Sequence, residues 1–295
     1  MSAPDLRPDL DPLLATAAAV MTGDRPIPAD APLRVGVDLG TAYTVVLVTD
    51  PDGTPLAGAY RFADVVRDGV VWDFAGAVGV VRSLVAEVQG RTGRELTTAA
   101  VTIPPGVSEG SHRAHRYVVE GCGLDCTALA DEPTAANAVL RVRNGAVVDL
   151  GGGTTGTAII ADGQVVATAD EPTGGTHLSL VIAGHLGIPF DEAELRKRDP
   201  ANHRELFAVV VPTLEKMATI VGRHVAGYDV GRLYLVGGTA AFTGIEAVFE
   251  QVTGIPTTVP THPLFVTPLG AAGFDTGPSP NAPSPDSPHS RRGRS

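Results

Sequence analysis

Two stretches of the 295-residue chain carry the same arrangement of reactive residues. In "RVGVDLGTAYTVVLV" (34–48) an apolar run ends in Asp38, continues through Gly40 and Thr41, and returns as a second apolar run. In "AVVDLGGGTTGTAII" (146–160) the order is repeated with Asp149, then Gly151, Gly152, Gly153, Thr154 and Thr155. Tight glycine turns leave backbone N–H groups pointing outward, and such concavities bind phosphate oxygens. The acid before each turn has a complementary chemistry. Mg²⁺ keeps most of its waters and takes one or two carboxylates plus substrate phosphates, so Asp38 and Asp149 together suit a hydrated Mg²⁺. Taken singly, either stretch is equally well an ordinary hairpin, because Asp and Gly are common turn residues. The two acids lie 149 − 38 = 111 residues apart, far enough for each hairpin to belong to its own domain of a duplicated fold.

Two further stretches have weaker signals. "LADEPTAANAVL" (129–140) places Asp131 and Glu132 before Pro133, the favoured first residue of a helix, and either acid would complement that helix N-terminus. "LYLVGGTAAFTGIEAVF" (233–249) reads as strand, Gly237-Gly238 turn and helix, where the glycines let the backbone lie against a flat base or ribose. A lone Gly-Gly is by itself weak evidence. Cys122 and Cys126 lack the second Cys or Cys-His pair that a zinc site needs, and are read as reduced, partly buried thiols.

The elements that must hold these residues alternate along the chain. Strands are predicted at 33–37, 43–49, 98–103, 145–149, 155–161, 164–169 and 232–236, with hairpin turns at 50–53 and 161–163. Helical periodicity runs through 74–90, where Ala77, Val80, Val81, Leu84, Val85 and Val88 form one stripe. Further helices are predicted at 108–120, from Pro133, and at 203–225, where Leu206, Val210, Leu214, Met217, Ile220 and Val221 form the apolar side and Pro212 introduces a kink. Hairpins followed by helix-linked strands, occurring twice, predict a two-domain α/β protein with mixed sheets and a ligand cleft between them.

Composition bounds the function. A 43% hydrophobic, 19% charged chain is globular, and 22 basic against 33 acidic residues give −11, which argues against a nucleic-acid surface. No apolar run reaches the ~18 residues of a membrane span and no secretory segment opens the chain, so a soluble, cytoplasmic protein without a membrane partner is expected. Residues 1–32 read as a flexible segment in which Leu10, Leu13, Leu14, Ala17 and Met21 have helical spacing; such a helix either patches onto the domain or serves as a docking peptide. Residues 275–295 read as a disordered Pro/Ser-rich tail.

The ordered set is more specific than its parts. Asp-Leu-Gly-Thr, Asp-Glu-Pro-Thr-Ala-Ala, Asp-Leu-Gly-Gly-Gly-Thr, Val-Gly-Gly-Thr and "PLGAAGF" (268–274) resemble, in order, the nucleotide-cleft motifs of the actin-like ATPase superfamily, with DnaK-type chaperones and bacterial actin homologues as general likenesses. "FADVVRDGVVWDFAGAV", "DEPTGGTHLSLVIAG" and "LEKMATIVGRHVAGYDV" resemble the ethanolamine-utilisation family EutJ. The resemblance spans residues 33–274. It implies two ribonuclease-H-like domains, 33–144 (rejoined by 262–274) and 145–261, around a cleft for ATP or ADP with Mg²⁺. It further implies that Asp38 and Asp149 position Mg²⁺ through water, and that Glu132 lies beside the attacking water. Thr41 and Thr154 would contact the terminal phosphates, with Gly40 and Gly151 to Gly153 supplying backbone. Gly237 and Gly238 would form the adenosine turn, and Glu215 and Lys216 would contact ribose.

The chain departs from the chaperone pattern in two respects. No lysine precedes Lys197, so the chaperones' first-domain lysine is missing and Arg67 is the nearest basic residue. Only 295 − 274 = 21 residues follow the resemblance, too few for a peptide-binding domain. By resemblance the chain is a chaperone-like ATPase of ethanolamine breakdown, with a protein client such as the cobalamin-dependent ethanolamine ammonia-lyase or a bacterial microcompartment component. The alternative is an ATP-binding adaptor with weak or no hydrolysis. A small-molecule kinase would need an acceptor-binding insertion for which the chain is short.

Overall fold

The structure, a computed structural model, describes residues 6–23, 27–67, 69–106 and 108–278. Helix α1 (Leu10–Ala19) precedes a meander of β1 (Arg34–Leu39), β2 (Tyr43–Thr49) and β3 (Pro55–Phe62). A two-stranded ribbon, β4 (Val66–Arg67) and β5 (Val70–Val71), leads into α2 (Phe74–Thr92), β6 (Thr98–Ile103), α3 (Glu109–Glu120), β7 (Asp125–Asp131) and α4 (Glu132–Leu140). A second meander follows: β8 (Gly145–Leu150), β9 (Thr155–Ala161) and β10 (Gln164–Glu171). Then come α5 (Gly175–Leu186), α6 (Phe190–Arg198), α7 (Pro200–His224), β11 (Leu233–Val236), α8 (Ile245–Thr253), β12 (Thr257–Thr258) and α9 (Val266–Phe274).

The two five-stranded sheets have one topology. Their orders are β3-β2-β1-β6-β7 and β10-β9-β8-β11-β12, in each case an antiparallel meander extended by two parallel strands. Register repeats as well: Asp38 faces Val45 across β1–β2 and Asp149 faces Gly156 across β8–β9, each seven residues on. Parallel neighbours require crossovers, and helices supply them by covering the sheets with their apolar stripes. In α2 the buried stripe is Ala77, Val78, Val81, Leu84, Val85 and Val88, so Val78 replaces the expected Val80, which is only partly buried.

Between the sheets lies a third core, built from one face of each meander together with α4 and α9. Its geometry rests on two glycines. A Cβ on Gly270 of α9 would lie 1.8 Å from the Ala135 carbonyl oxygen of α4, and one on Gly36 of β1 would lie 2.2 Å from the Pro268 carbonyl oxygen. The short-side-chain run "PLGAAGF" is therefore the surface on which α9 is wedged against β1 and α4.

Residues counted from sequence with the two tails take part in this packing. Leu10, Leu14, Ala17, Val20 and Met21 are buried beside Val45, Leu47 and Phe265, so α1 is patched onto the fold; the docking-peptide alternative and the expected flexibility do not hold for these residues. Asp275, placed in the tail, is 2% exposed. Its Oδ2 accepts from Val35 N (2.9 Å) and Thr98 Oγ1 (3.1 Å), and its Oδ1 from Thr127 Oγ1 (2.7 Å) and Gly277 N (3.0 Å). The remainder of the expected tail, 279–295, lies outside the described residues. Helix α7 runs continuously through Pro212. Cys122 is partly buried and Cys126 buried, and burial pushes the thiol of Cys122 up to about 11 and that of Cys126 upward, which disfavours the thiolate of both.

Asp275 closes the chain onto three strands, β1, β6 and β7, through one carboxylate. Leaving a buried donor unsatisfied costs about 1–3 kcal/mol each. Asp275→Ala is expected to destabilise the fold by about 3 kcal/mol or more. In a thermal melt that corresponds to a fall of about 6 °C or more in Tm. A melt unchanged within a degree or so would refute the staple.

Candidate functional site

The duplicated hairpins meet across one cleft. Asp38, at the end of β1, accepts on Oδ1 from Thr102 Oγ1 of β6 (2.7 Å); Asp149, at the end of β8, accepts on Oδ2 from Thr267 Oγ1 of α9 (2.6 Å). Both carboxylates line the cleft, together with Glu132. Burial, and then the charge of Asp149, push Asp38 up to about 7, against the Thr102 hydrogen bond. Burial raises Asp149 to about 6, against Thr267. Burial followed by the charges of Asp149, Asp38, Asp170 and Asp131 holds Glu132 well above the usual carboxylate range. The capping question of the sequence is settled by Asp131, whose Oδ1 accepts from Thr134 N (3.0 Å); Glu132 is left for the cleft.

Such a set of acids suits a dication. Each aspartate is anchored through one oxygen, and their mutual repulsion is what a positive charge between them would relieve. Among the described residues no three His, Cys, Asp or Glu side chains stand in chelating geometry, so a metal here would be held through water and phosphate, as Mg²⁺ commonly is.

The turns next to the acids are equivalent. Gly40 N donates to Tyr43 O (3.0 Å) and Gly151 N to Thr154 O (3.1 Å), again 111 residues apart. In the second turn the carbonyls are turned away from the cleft. Gly151 O accepts from Gly175 N (2.9 Å) and Thr239 Oγ1 (2.8 Å), and Gly152 O from Thr176 N (2.8 Å). The two turns also touch: a Cβ on Gly152 would lie 2.7 Å from Ala42 Cβ, so only glycine admits this approach. Gly40, Thr41, Gly151, Gly152, Gly153 and Thr154 all line the cleft. Thr155 does not, because its hydroxyl donates to Thr173 O (2.7 Å) inside the fold.

The far wall holds Gly237 and Gly238 as expected, with Gly237 at φ 87° and its Cα packed against the Asp149 carboxylate. Glu215 and Lys216 are not there. They lie on the exposed side of α7, and neither this cleft nor the cavity adjoining it is lined by them. A Glu–Lys pair that does line the cleft is Glu194 and Lys197 of α6, with Arg198 beside them. Lys197 Nζ donates to Glu194 Oε2 (2.6 Å) and Gly175 O (3.1 Å), and Ser179 Oγ donates to the same Glu194 oxygen (2.5 Å). Arg198 reaches across to the other half, its guanidinium carbon 4.8 Å from the centre of the Tyr43 ring. The Tyr43 hydroxyl is buried with no hydrogen-bond partner among the described residues.

Beyond Tyr43 and Arg198 the cleft opens into an adjoining cavity walled by Tyr60, Phe242, Leu264 and His203. His203 stacks on Phe242 at 4.1 Å; its Nδ1 accepts from Thr243 N (3.0 Å) and its Nε2 faces Lys197 O (2.8 Å), which fixes the Nε2–H tautomer. A flat apolar ring with polar edges suits this cavity. Arg67 stands outside the cleft, paired with Asp64 and lying over Trp72.

Residues 146–270 match the profile of the cell division protein FtsA family. Over 264 residues the chain is 45% identical to the ethanolamine utilization protein EutJ of Salmonella typhimurium, a match covering 89% of this chain and 92% of the relative. The chain belongs to the EutJ family. The crystal structure of EutJ from Carboxydothermus hydrogenoformans has a TM-score of 0.86 at 48% identity, covering 90% of this chain and 98% of that one. MreB5 of Spiroplasma citri bound to AMPPNP has a TM-score of 0.66 at 17% identity, over 82% of this chain and 95% of that one. The chaperone protein DnaK of Deinococcus radiodurans is 34% identical over 104 residues, 34% of this chain and 17% of the chaperone. This EutJ-family chain thus has the actin-like ATPase fold, the two like sheets being its two halves.

The acid cluster makes stability depend on pH. Asp38, Asp149 and Glu132 are all raised in the folded chain, so between about pH 4 and pH 7 the folded state binds more protons than the unfolded one. Unfolding free energy from these groups therefore falls as pH rises through that window. Without added nucleotide or metal, Asp38→Asn is expected to raise Tm at about pH 8 and to flatten the decline seen from about pH 5. Melts of mutant and parent that stay parallel across that range would contradict the like-charge cluster.

Proposed function

We propose that the cleft binds ATP or ADP with Mg²⁺ and that this EutJ-family chain is a chaperone-like component of ethanolamine utilisation whose two halves close on nucleotide. The observation that carries the reading is the paired construction of the cleft. Two glycine turns closed by the same hydrogen bond, each preceded by an acid, line one space together with those acids, and a third carboxyl joins them from the adjoining helix start. N–H groups and Mg²⁺ would take the phosphates, and the aromatic cavity beyond Gly238 would take the base. Lys197, Arg198 and the unpartnered Tyr43 hydroxyl stand between these two regions, where a ribose would lie. Glu194 and Lys197 replace Glu215 and Lys216 as the proposed ribose-side pair.

When bound, Mg²⁺ supplies charge neutralisation at the phosphates. The part assigned to Glu132 is to orient the attacking water and accept its proton. Opening and closing of the halves would alternately present and withdraw a partner surface. The client in this reading is a protein of ethanolamine breakdown, a cobalamin-dependent ammonia-lyase or a microcompartment component. Similarity to a DnaK chaperone and the family's own name support the class of partner.

A weakly hydrolysing adaptor is the second reading, and one observation favours it. The cations around the cleft are held by the protein itself: Lys197 by Glu194, Arg198 by Tyr43, and Arg67 by Asp64.

Glu132→Gln separates the two. For an ATPase the substitution is expected to slow single-turnover hydrolysis by about 10²–10⁴ while leaving calorimetric Mg-ATP affinity within a few-fold. Asp149→Ala should instead remove the Mg²⁺ dependence of binding, and the double substitution Glu215→Ala, Lys216→Ala should leave affinity unchanged. Equal turnover in Glu132→Gln and parent would return Glu132 to a structural role, and no turnover in the parent would favour the adaptor.

A further inference from the structure

Arg67 occupies a position that neither fold stability nor the cleft as described accounts for. Its flanking residues Val66 and Gly69 are on the cleft wall, while its own side chain lines an adjoining cavity shared with Thr41, Ala42 and Gly153 from the two phosphate-facing turns. Within that cavity the guanidinium is engaged by Asp64, which lines the same wall, and by Trp72. Nε and Nη2 donate to Asp64 Oδ1 (3.1 Å) and Oδ2 (2.7 Å), and the guanidinium carbon lies 4.0 Å from the centre of the Trp72 ring. Trp72 Nε1 donates to the same Asp64 Oδ1 (3.2 Å), which closes a triangle of three side chains.

This resting place is weak. The Arg67 side chain is 58% exposed and that of Asp64 56%, and ion pairs at such exposure are screened by solvent and contribute little. A phosphate offers the same forked geometry with more charge. Of the three cations around the cleft, Lys197 is enclosed in its ion pair and Arg198 is stacked against the Tyr43 ring. Arg67 shares a cavity with Thr41 and Gly153, and of the three it is the one held by a solvent-exposed carboxylate.

We propose that Arg67 is a sensor of the terminal phosphate: with a nucleoside triphosphate in the cleft its guanidinium leaves Asp64 and Trp72 and pairs with the phosphate beyond Thr41 and Gly153, whereas a diphosphate leaves it at rest. The inference rests on the nucleotide-binding reading above. It assigns Arg67 a positioning role and makes the exposed Asp64–Trp72 surface differ between the two nucleotide states.

Trp72 is the only tryptophan of the chain, so its emission reports the contact directly. With the full-length protein and Mg²⁺, the non-hydrolysable triphosphate AMPPNP is expected to shift Trp72 emission and ADP to leave it unchanged. Arg67→Ala should abolish the difference and lower triphosphate affinity by about tenfold with diphosphate affinity unaltered. Asp64→Asn, which loosens the rest position, should raise the triphosphate-to-diphosphate affinity ratio, a change in the opposite direction that a merely structural role of either residue would not produce. Calorimetry on the same samples separates the failures. Nucleotide binding with emission indifferent to the terminal phosphate, or an unchanged affinity ratio in Arg67→Ala, overturns the sensor alone. Absence of any nucleotide binding overturns the nucleotide reading and the sensor with it.

Discussion

The structure depends on holding Asp38 and Asp149 toward one another. Two carboxylates facing one enclosed cleft are unfavourable: burial raises the proton affinity of both, and the charge of Asp149 raises that of Asp38 further. A chain keeps such an arrangement only when the surrounding framework is stable enough to bear it, and here each acid is anchored from outside its own hairpin. Thr102 comes from the parallel neighbour of β1, and Thr267 from α9. Both hydroxyls donate to the charged form and oppose the repulsion in part. The acids are thus positioned by elements far apart in sequence, and their geometry reports the assembly of the whole fold.

That assembly turns on the central helices. Gly270 brings the α9 backbone against that of α4, and Gly36 brings β1 against Pro268. Added methyl groups at such contacts force backbone shifts that typically cost about 1–3 kcal/mol. The consequence reaches the site directly, because α9 carries Thr267 and α4 begins at Glu132. One close-packed crossing therefore fixes two of the three carboxyls, and the short side chains of "PLGAAGF" serve the cleft without touching a ligand.

The duplicated hairpins were legible in the sequence because their signals are local: β-branched runs, Asp-Gly turns and a repeat at 111 residues. Strands β3, "PLAGAYRF", and β7, "DCTALAD", escaped because small and polar residues fill them and burial by distant helices decides their state. Helix α6, "FDEAELRKR", reads as a solvated charged segment, although Glu194 is buried and Lys197 lines the cleft. Glu215 and Lys216 could have been rejected from periodicity alone. The stripe that places Leu214 and Met217 in the core turns the two intervening residues outward. Asp275 carried no sequence signal, since an acid before a Pro/Ser-rich run is indistinguishable from the run until its three strands are in place.

Charge arrangement around the cleft gives the proposed function its electrostatic logic. Besides Glu194, which is paired with Lys197, three carboxyls line the space, and the adjacent cations are each engaged by a protein group. A polyphosphate arriving alone would meet more negative than available positive charge. Binding is then favourable only if a dication arrives with the phosphates, or if a cation is released from its protein partner, and the two routes differ in cost. Lys197 is buried with Glu194, so separating them would leave an uncompensated buried carboxylate. Releasing Arg67 leaves Asp64 in solvent, where water takes over its hydrogen bonds. On the proposed reading the exposed pair is the one that a terminal phosphate would open, while the Lys197–Glu194 pair, through the Lys197 bond to Gly175 O, would keep α6 tied to the start of α5.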